Sequence, residues 1–289
     1  MTARVLCILS CCALVISCAA TVKEVAPVKA ADAKDAYLKE GYKLVWSDEF
    51  DKPGRPDPTK WTYETGFVRN NEAQWYQPEN ARVENGMLII EAKREKKPNP
   101  NYTPNGRGWK QTRQFAEYTS ACLKTQGLAS WKYGRFEMRG RIDTRPGMWP
   151  AWWTLGTDGR WPNGGEIDIM EYYRNMLLAN AAWGSANPHE PEWSSVKTPL
   201  EKLGAGWSDK FHVWRMDWNE KELLLSCDGV VLNKVNVDET VNKDDGKNPF
   251  HYPQYMLINL AIGGDAGGDP SKTTFPARFE VDYVRVYQK

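Results

Sequence analysis

Gly164-Gly165-Glu166-Ile167-Asp168-Ile169-Met170-Glu171-Tyr172-Tyr173 sets three carboxylates into a run that otherwise reads as a buried strand. Strand side chains alternate between faces. Glu166 and Asp168 therefore share a face, Met170 follows on it, and Glu171 points away. A carboxylate in an apolar setting is costly unless it is paired, hydrated or used. A β-bulge at 169–170 would absorb one residue and return Glu171 to the side of the other two. Bulges concentrate next to active sites, where they re-aim a side chain.

The surrounding chain reads as short strands between turns. Residues 134–142 alternate, with Phe136, Met138 and Ile142 on one face and Arg135, Glu137, Arg139 and Arg141 on the other. Trp214, Met216 and Trp218 alternate with Arg215 and Asp217. Residues 43–50 and 86–91 read as further strands, 255–262 as a strand buried on both faces, and 279–287 as a β-branched, aromatic closing strand. Stretches rich in Asn, Pro and Gly separate them, at 98–108, 184–191, 242–250 and 263–270. There is no internal repeat and no long amphipathic helix pattern. The expected class is all-β, a two-sheet antiparallel sandwich or jelly roll.

The 289 residues suffice for one large domain. A net charge of +1 offers no basic field for nucleic acid. Fourteen Trp and thirteen Tyr suggest that some serve as exposed flat platforms, a surface suited to sugar rings. Arg4 precedes an apolar run at 5–16. That run is too short for a bilayer span of ~20 residues and fits a secretory signal. It ends Val15-Ile16-Ser17-Cys18, which resembles a bacterial lipobox and implies cleavage before Cys18 and lipidation of its thiol. The expected organisation is a signal segment at 1–18, a flexible tether at 19–40 and one domain at 41–289, giving an exported, membrane-anchored lipoprotein at the cell surface or in the periplasm. Of six Cys only Cys122 and Cys227 fall in the mature domain, read as free buried thiols, and the three His look structural.

Cleaving a glycosidic bond commonly takes two carboxyl groups, ~5–5.5 Å apart for retention and ~6.5–9.5 Å for inversion. With the bulge, Glu166 and Glu171 stand about four strand steps apart, or ~13 Å between Cα atoms. Both side chains reach inward, which favours the shorter separation. Asp168 lies between them, where it can hydrogen-bond Glu166 and help keep Glu171 protonated. A calcium cluster or a solvated strand is the alternative. Calcium loops usually turn at a Gly, unlike this Ile- and Met-interleaved run.

The segment resembles the signature of glycoside hydrolase family 16, Glu-x-Asp-x-x-Glu, in the longer form similar to laminarinases and agarases. Trp46-Ser47-Asp48-Glu49-Phe50, Asn71-Glu72-Ala73-Gln74, Tyr133-Gly134-Arg135-Phe136-Glu137, Trp149-Pro150-Ala151-Trp152-Trp153 and Asp282-Tyr283-Val284-Arg285-Val286 resemble further landmarks in family order, over roughly 42–288. The resemblance implies a concanavalin-A-like jelly roll with a concave sugar cleft. It also implies endo-acting, retaining cleavage of a β-1,3- or β-1,4-linked glycan. It makes Glu166 the nucleophile, Asp168 its assistant and Glu171 the acid/base, an order the residues alone do not give. The loop with Asn71 and Gln74, whose amides can read sugar hydroxyls, borders the cleft in the family; Trp149 and Trp153, which flank the catalytic strand in sequence, are also expected there, with Trp131, Arg135 and Trp183 as further candidates. The resemblance implies no catalytic cofactor, and a structural calcium at Glu49, the Gly86 backbone and Asp282. The expected partner is a polysaccharide or glycan, bound by a monomer. Laminarinases usually carry a His in the strand after the catalytic one. This chain has Leu178-Ala179-Asn180-Ala181-Ala182-Trp183-Gly184-Ser185 there, which brings a galactose-containing glycan into consideration beside a glucan. Few basic residues surround the motif, so a heavily sulfated substrate is not favoured. A transglycosylase and a lectin on the same fold are the alternatives to a hydrolase.

Overall fold

The computed structural model describes residues 37–187 and 189–289. The signal segment, Cys18 and most of the expected tether lie outside them. Two antiparallel sheets carry the fold. One has the strand order Pro191–Pro199, Met176–Gly184, Glu166–Tyr173, Met148–Gly156, Gln254–Ile262, Cys122–Lys124, Thr62–Tyr63. The other runs Val230–Asn236, Glu222–Cys227, His212–Trp218, Gly134–Arg141, Ala277–Gln288, Met87–Ala92, Ala81–Glu84, with Lys43–Asp48 also paired to Ala277–Gln288.

The alternation predicted from sequence fixes which faces meet. Phe136, Met138, Trp214, Met216 and Trp218 from the second sheet pack into one core with Trp152, Ile167, Ile169, Met170 and Tyr172 from the first. Burying side chains of this size stabilises by ~1.5–3 kcal/mol each. Gln254–Ile262 is buried along its length. Met256, Ile258 and Leu260 face the core between the sheets. Tyr255 and Leu257 face outward and are covered by Tyr76, Cys122, Ala151 and Trp153. Asn85 and Gly86 both adopt positive φ, +54° and +73°. That is the geometry an Asn-Gly hairpin needs between Ala81–Glu84 and Met87–Ala92. Cys122 and Cys227 are buried free thiols, as read from sequence.

Residues 37 and 40, expected within the tether, contact the domain. Tyr37 is buried, its hydroxyl donates to Glu137 Oε2 at 2.5 Å, and its ring meets Tyr287 edge-on at 5.1 Å. Glu40 pairs with Arg135 at 3.0 Å. These contacts also correct the expectation for Arg135. Its guanidinium lies over the rings of Tyr37 and Tyr42, at 4.3 and 4.6 Å, and its Nε–H donates to Asp217 at 2.5 Å. Alternation put Arg135 on the correct face of its strand, but that strand belongs to the sheet without the acids. Trp131 is likewise a core residue, edge-on to Trp46 at 5.3 Å and Phe136 at 5.8 Å.

Arg135→Ala is therefore expected to destabilise the fold by roughly 1.5–3 kcal/mol, the worth of a hydrogen bond to a charged group. It should leave kcat/KM for any glycan unchanged. Chemical denaturation and steady-state kinetics on the same preparation check this; a large loss of kcat/KM without loss of stability would return Arg135 to the substrate site.

Candidate active site

The bulge is where the sequence requires it. Trp153 pairs with Asp168 and Trp152 with Met170, so Ile169 has no partner on the Met148–Gly156 strand. On the other side Asp168 pairs with Asn180 and Glu171 with Leu178, across the same irregularity. Ile169 and Met170 both enter the core. Glu171 emerges with Glu166 and Asp168 on the outer face of the sheet, in a cleft of about 1020 Å³.

Register then builds three rows across that face. Glu171 lines up with Leu178 and Lys197, Asp168 with Asn180 and Ser195, and Glu166 with Ala182 and Trp193. The middle row anchors two of the acids through Asn180. Asn180 Nδ2 donates to Asp168 Oδ2 at 3.0 Å and to Glu171 Oε2 at 3.1 Å. The Ser195 hydroxyl donates to Asn180 Oδ1 at 2.6 Å, which fixes the amide with its N–H groups toward the carboxylates. Trp149 Nε1–H donates to Glu171 Oε1 at 2.8 Å. Beyond them Trp153 Nε1–H donates to Asn259 Oδ1 at 2.8 Å, and Asn259 Nδ2 to the Tyr76 hydroxyl at 3.1 Å. Arg69, paired with Glu64, stacks over Trp153 at 5.0 Å.

Burial raises all three acids above the usual carboxylate range, and repulsion adds to it for Glu166 and Glu171. Burial is the main cause for Glu166, with the charges of Asp168 and Glu171 adding and the Trp161 side chain opposing. Glu171 is pushed up to about 8 by burial and by Asp168, against the N–H groups of Trp149 and Asn180 and the charge of Lys197. Asp168 is raised to about 6 by burial, and hydrogen bonds from Asn180 and Glu166 hold it below Glu171. At neutral pH the trio cannot hold three negative charges, and it keeps protons ready for transfer.

Of the residues expected at the cleft, Trp149 and Trp153 line it. Asn71 props the rim instead. Its amide donates to Asp265 Oδ1 at 3.0 Å, while the Asp265 N–H donates to Asn70 O at 2.8 Å. The two loops approach so closely that a Cβ on Gly264 would sit 2.5 Å from Asn70 O. Gln74 lies beneath the rim, almost fully buried, donating to Glu72 Oε2 and accepting from the Ile262 N–H, both at 2.7 Å. Trp183 faces inward and packs on the core, since odd positions of Met176–Gly184 share the face of Leu177, Ala179 and Ala181. Sequence reasoning missed Asn180, Arg69, Glu72, Trp161, Trp193 and Lys197, all at the cleft. Strict alternation in Trp193-Ser194-Ser195-Val196-Lys197 was the available signal for two of them.

The carboxylates expected to hold calcium are engaged by guanidinium groups. Glu49 holds Arg285 through two bonds, at 2.9 and 2.6 Å, and Asp282 holds Arg139 at 2.7 Å. Calcium there would compete with both guanidinium groups for these oxygens. His212, Cys227 and Asp228 do converge, which their sequence spacing did not suggest. Both His212 nitrogens are engaged, with Asp228 Oδ2 at 2.6 Å and Trp207 O at 2.7 Å.

Comparison with known proteins bears on this geometry. The family model for glycosyl hydrolases family 16 matches residues 69–285. A β-glucanase of Rhodothermus marinus is 37% identical over 268 residues, covering 86% of this chain and 85% of that protein. The crystal structure of SCLam, a non-specific endo-β-1,3(4)-glucanase, is similar with a TM-score of 0.70 at 39% identity, over 86% of this chain and 91% of its own. A structure from work on endo-acting O-glycanases, expressed by prominent members of the human gut microbiota to initiate mucin breakdown, gives a TM-score of 0.78 at 32% identity, over 86% and 91%.

Two outcomes follow from the geometry. Deleting Ile169 closes the register on both sides, since Met170 then follows Asp168 opposite Trp152 and Glu171 stays opposite Ala151 and Leu178. The deletion variant should keep all three acids on the cleft face and retain activity, while losing roughly 2–5 kcal/mol of stability with the buried Ile. A folded but inactive variant would refute this account of the bulge. The second concerns pH. Burial raises Glu72 to about 7, with Arg69 opposing. A carboxyl raised on folding supports the fold while protonated and opposes it as pH rises through the folded value. Thermal stability should fall between about pH 5 and pH 8. Glu72→Gln should flatten that slope; an unchanged slope would remove Glu72 as a cause.

Proposed function

This chain belongs to glycosyl hydrolases family 16, and from that premise we propose that it cleaves internal bonds of a β-linked glycan by double displacement through Glu166, Asp168 and Glu171. It is an endo-acting glycoside hydrolase, and the retaining mechanism fits the family. The observation that carries the residue assignment is the return of Glu171 to the face of Glu166 across the bulge. Glu171, protonated because burial and Asp168 raise it, gives its proton to the glycosidic oxygen as the bond breaks. Glu166 attacks the anomeric carbon and forms the glycosyl-enzyme. Asp168, hydrogen-bonded to Glu166, takes up the proton that Glu166 must lose before it can attack. Glu171, now ionised, draws a proton from water, and the hydroxide displaces Glu166 from the sugar. Trp149 and Asn180 keep Glu171 aimed through both steps.

We propose a β-1,3(4)-glucan as the substrate, supported by the β-glucanase relative and the endo-β-1,3(4)-glucanase structure. A galactose-containing glycan of the mucin type is the second reading, favoured by the TM-score of 0.78 to the structure from the O-glycanase work. A panel of laminarin, mixed-linkage glucan, agarose, porphyran and mucin with product sizing separates them. We further propose export and anchoring through a lipid on Cys18, supported by the pattern of residues 4–18. Cys18→Ser should release the protein from the membrane fraction; retention there would overturn the anchor.

Glu166→Gln should reduce turnover by several orders of magnitude while preserving the fold, as removal of a covalent nucleophile does. NMR of the first-formed product should show the β-anomer, and early α-anomer would refute retention. The pH–rate profile should be bell-shaped, limited below by a second proton on the Glu166–Asp168 pair and above by ionisation of Glu171. Asp168→Asn removes a negative neighbour and should move the alkaline limb to lower pH. An unmoved limb would detach Asp168 from Glu171.

A further inference from the structure

The outermost strand of the cleft sheet, Pro191–Pro199, has a role that the catalytic trio does not explain. Its cleft face presents Trp193, Ser195 and Lys197 in alternation. Trp193 ends the row that begins at Glu166, and Lys197 ends the row that begins at Glu171. Two strand spacings separate this edge from the acids, about 10 Å. Along the strand Trp193 and Lys197 lie four steps apart, or ~13 Å between Cα atoms. All three side chains stand on the cleft face of the strand, with Ser195 between the other two.

Three observations point to a ligand here. Trp193 is 45% exposed, a large flat apolar surface in water at the mouth of an otherwise well-packed sheet. The Ser195 hydroxyl is already engaged by Asn180, so the floor offers a surface to lie over rather than a free donor. Lys197 forms no ion pair with the described residues, whereas Arg69, the other cleft cation, is held by Glu64. A lone ammonium is conspicuous in a cleft that also presents Glu72, Glu166, Asp168, Glu171 and Asp265. These acids would repel an anionic sugar at the centre of the site. Two strands away, at Lys197, an anion finds a partner.

We propose that this edge strand forms a distal subsite for a sugar bearing an anionic substituent, a sulfate ester or a carboxylate, with Trp193 against the ring and Lys197 on the anion. The subsite rests on the hydrolase reading above. It differs from recognition of a heavily sulfated polymer, because one cation serves one substituent at one position. Lys197 selects among glycans; its charge also bears on Glu171, an effect common to neutral and anionic substrates that cancels in their ratio.

The test compares kcat/KM for neutral and anionic forms of one backbone. The probes are laminarin, laminarin sulfated at C6 and laminarin oxidised at C6 to the carboxylate, with desulfated keratan and keratan sulfate as a second backbone. Lys197→Met should lower the anionic-to-neutral ratio by up to about five-fold, the range of an exposed ion pair. Lys197→Arg should keep the ratio, and the effect should fade in about 0.5 M salt. Trp193→Ala should lower kcat/KM on neutral and anionic forms alike. The sulfate and carboxylate arms show which anion is read. Cleavage by the wild type with a ratio unchanged in Lys197→Met overturns the subsite alone. Failure of the wild type on both backbones overturns the reading of the substrate and this subsite with it.

Discussion

One extra residue in one strand decides which carboxylates share the cleft. Ile169 has no partner on either neighbouring strand, and because it turns inward with Met170, Glu171 turns outward. The apolar core enforces this. Two side chains without polar atoms are fully buried, and the next carboxylate has nowhere to go but the cleft. A regular strand of the same sequence would put Met170 beside the acids and Glu171 in the core. The free energy of burying Ile169 and Met170 is therefore what aims the proposed acid.

Once the carboxylates share a face, their proximity determines their protonation. Each is raised by burial, and Glu166 and Glu171 also by like charge, so the site holds protons at a pH where free carboxylates have lost theirs. The surrounding polar side chains set direction. Ser195 orients Asn180, Asn180 bridges Asp168 and Glu171, and Trp149 holds the other oxygen of Glu171. Pairing of the three strands Glu166–Tyr173, Met176–Gly184 and Pro191–Pro199 places all but Trp149 of these residues in register. The site is thus a property of the sheet rather than of flexible loops.

Much of this was legible in the sequence because it is local. Alternation gave the strands, the misfit of Glu171 gave the bulge, and the Trp pair at 149 and 153 shares the parity that reaches the cleft. What failed was non-local. Arg135 lies on the correct face of its strand, but which sheet that strand joins depends on pairing with residues far along the chain. Gln74 has the chemistry of a sugar reader, yet it is drawn beneath the rim by the Ile262 backbone. Trp183 is the local exception, an aromatic beside the site in sequence but not in space. Its parity with Ala179 and Ala181 sends it inward, and Asn180, one step out of phase, takes the cleft position. Trp193 and Lys197 were readable by the same alternation, but only register across two strands shows that they end the rows of Glu166 and Glu171.

The central claim is that Glu166 attacks the sugar while Glu171, re-aimed by the bulge, serves as acid. The most direct measurement is covalent trapping with an activated 2-deoxy-2-fluoro β-oligosaccharide of the cleaved backbone, followed by peptide mapping of the labelled protein. The account predicts one sugar per chain, esterified to Glu166. A label on Glu171 or Asp168, or turnover of the cleavable substrate with no covalent adduct, would contradict it.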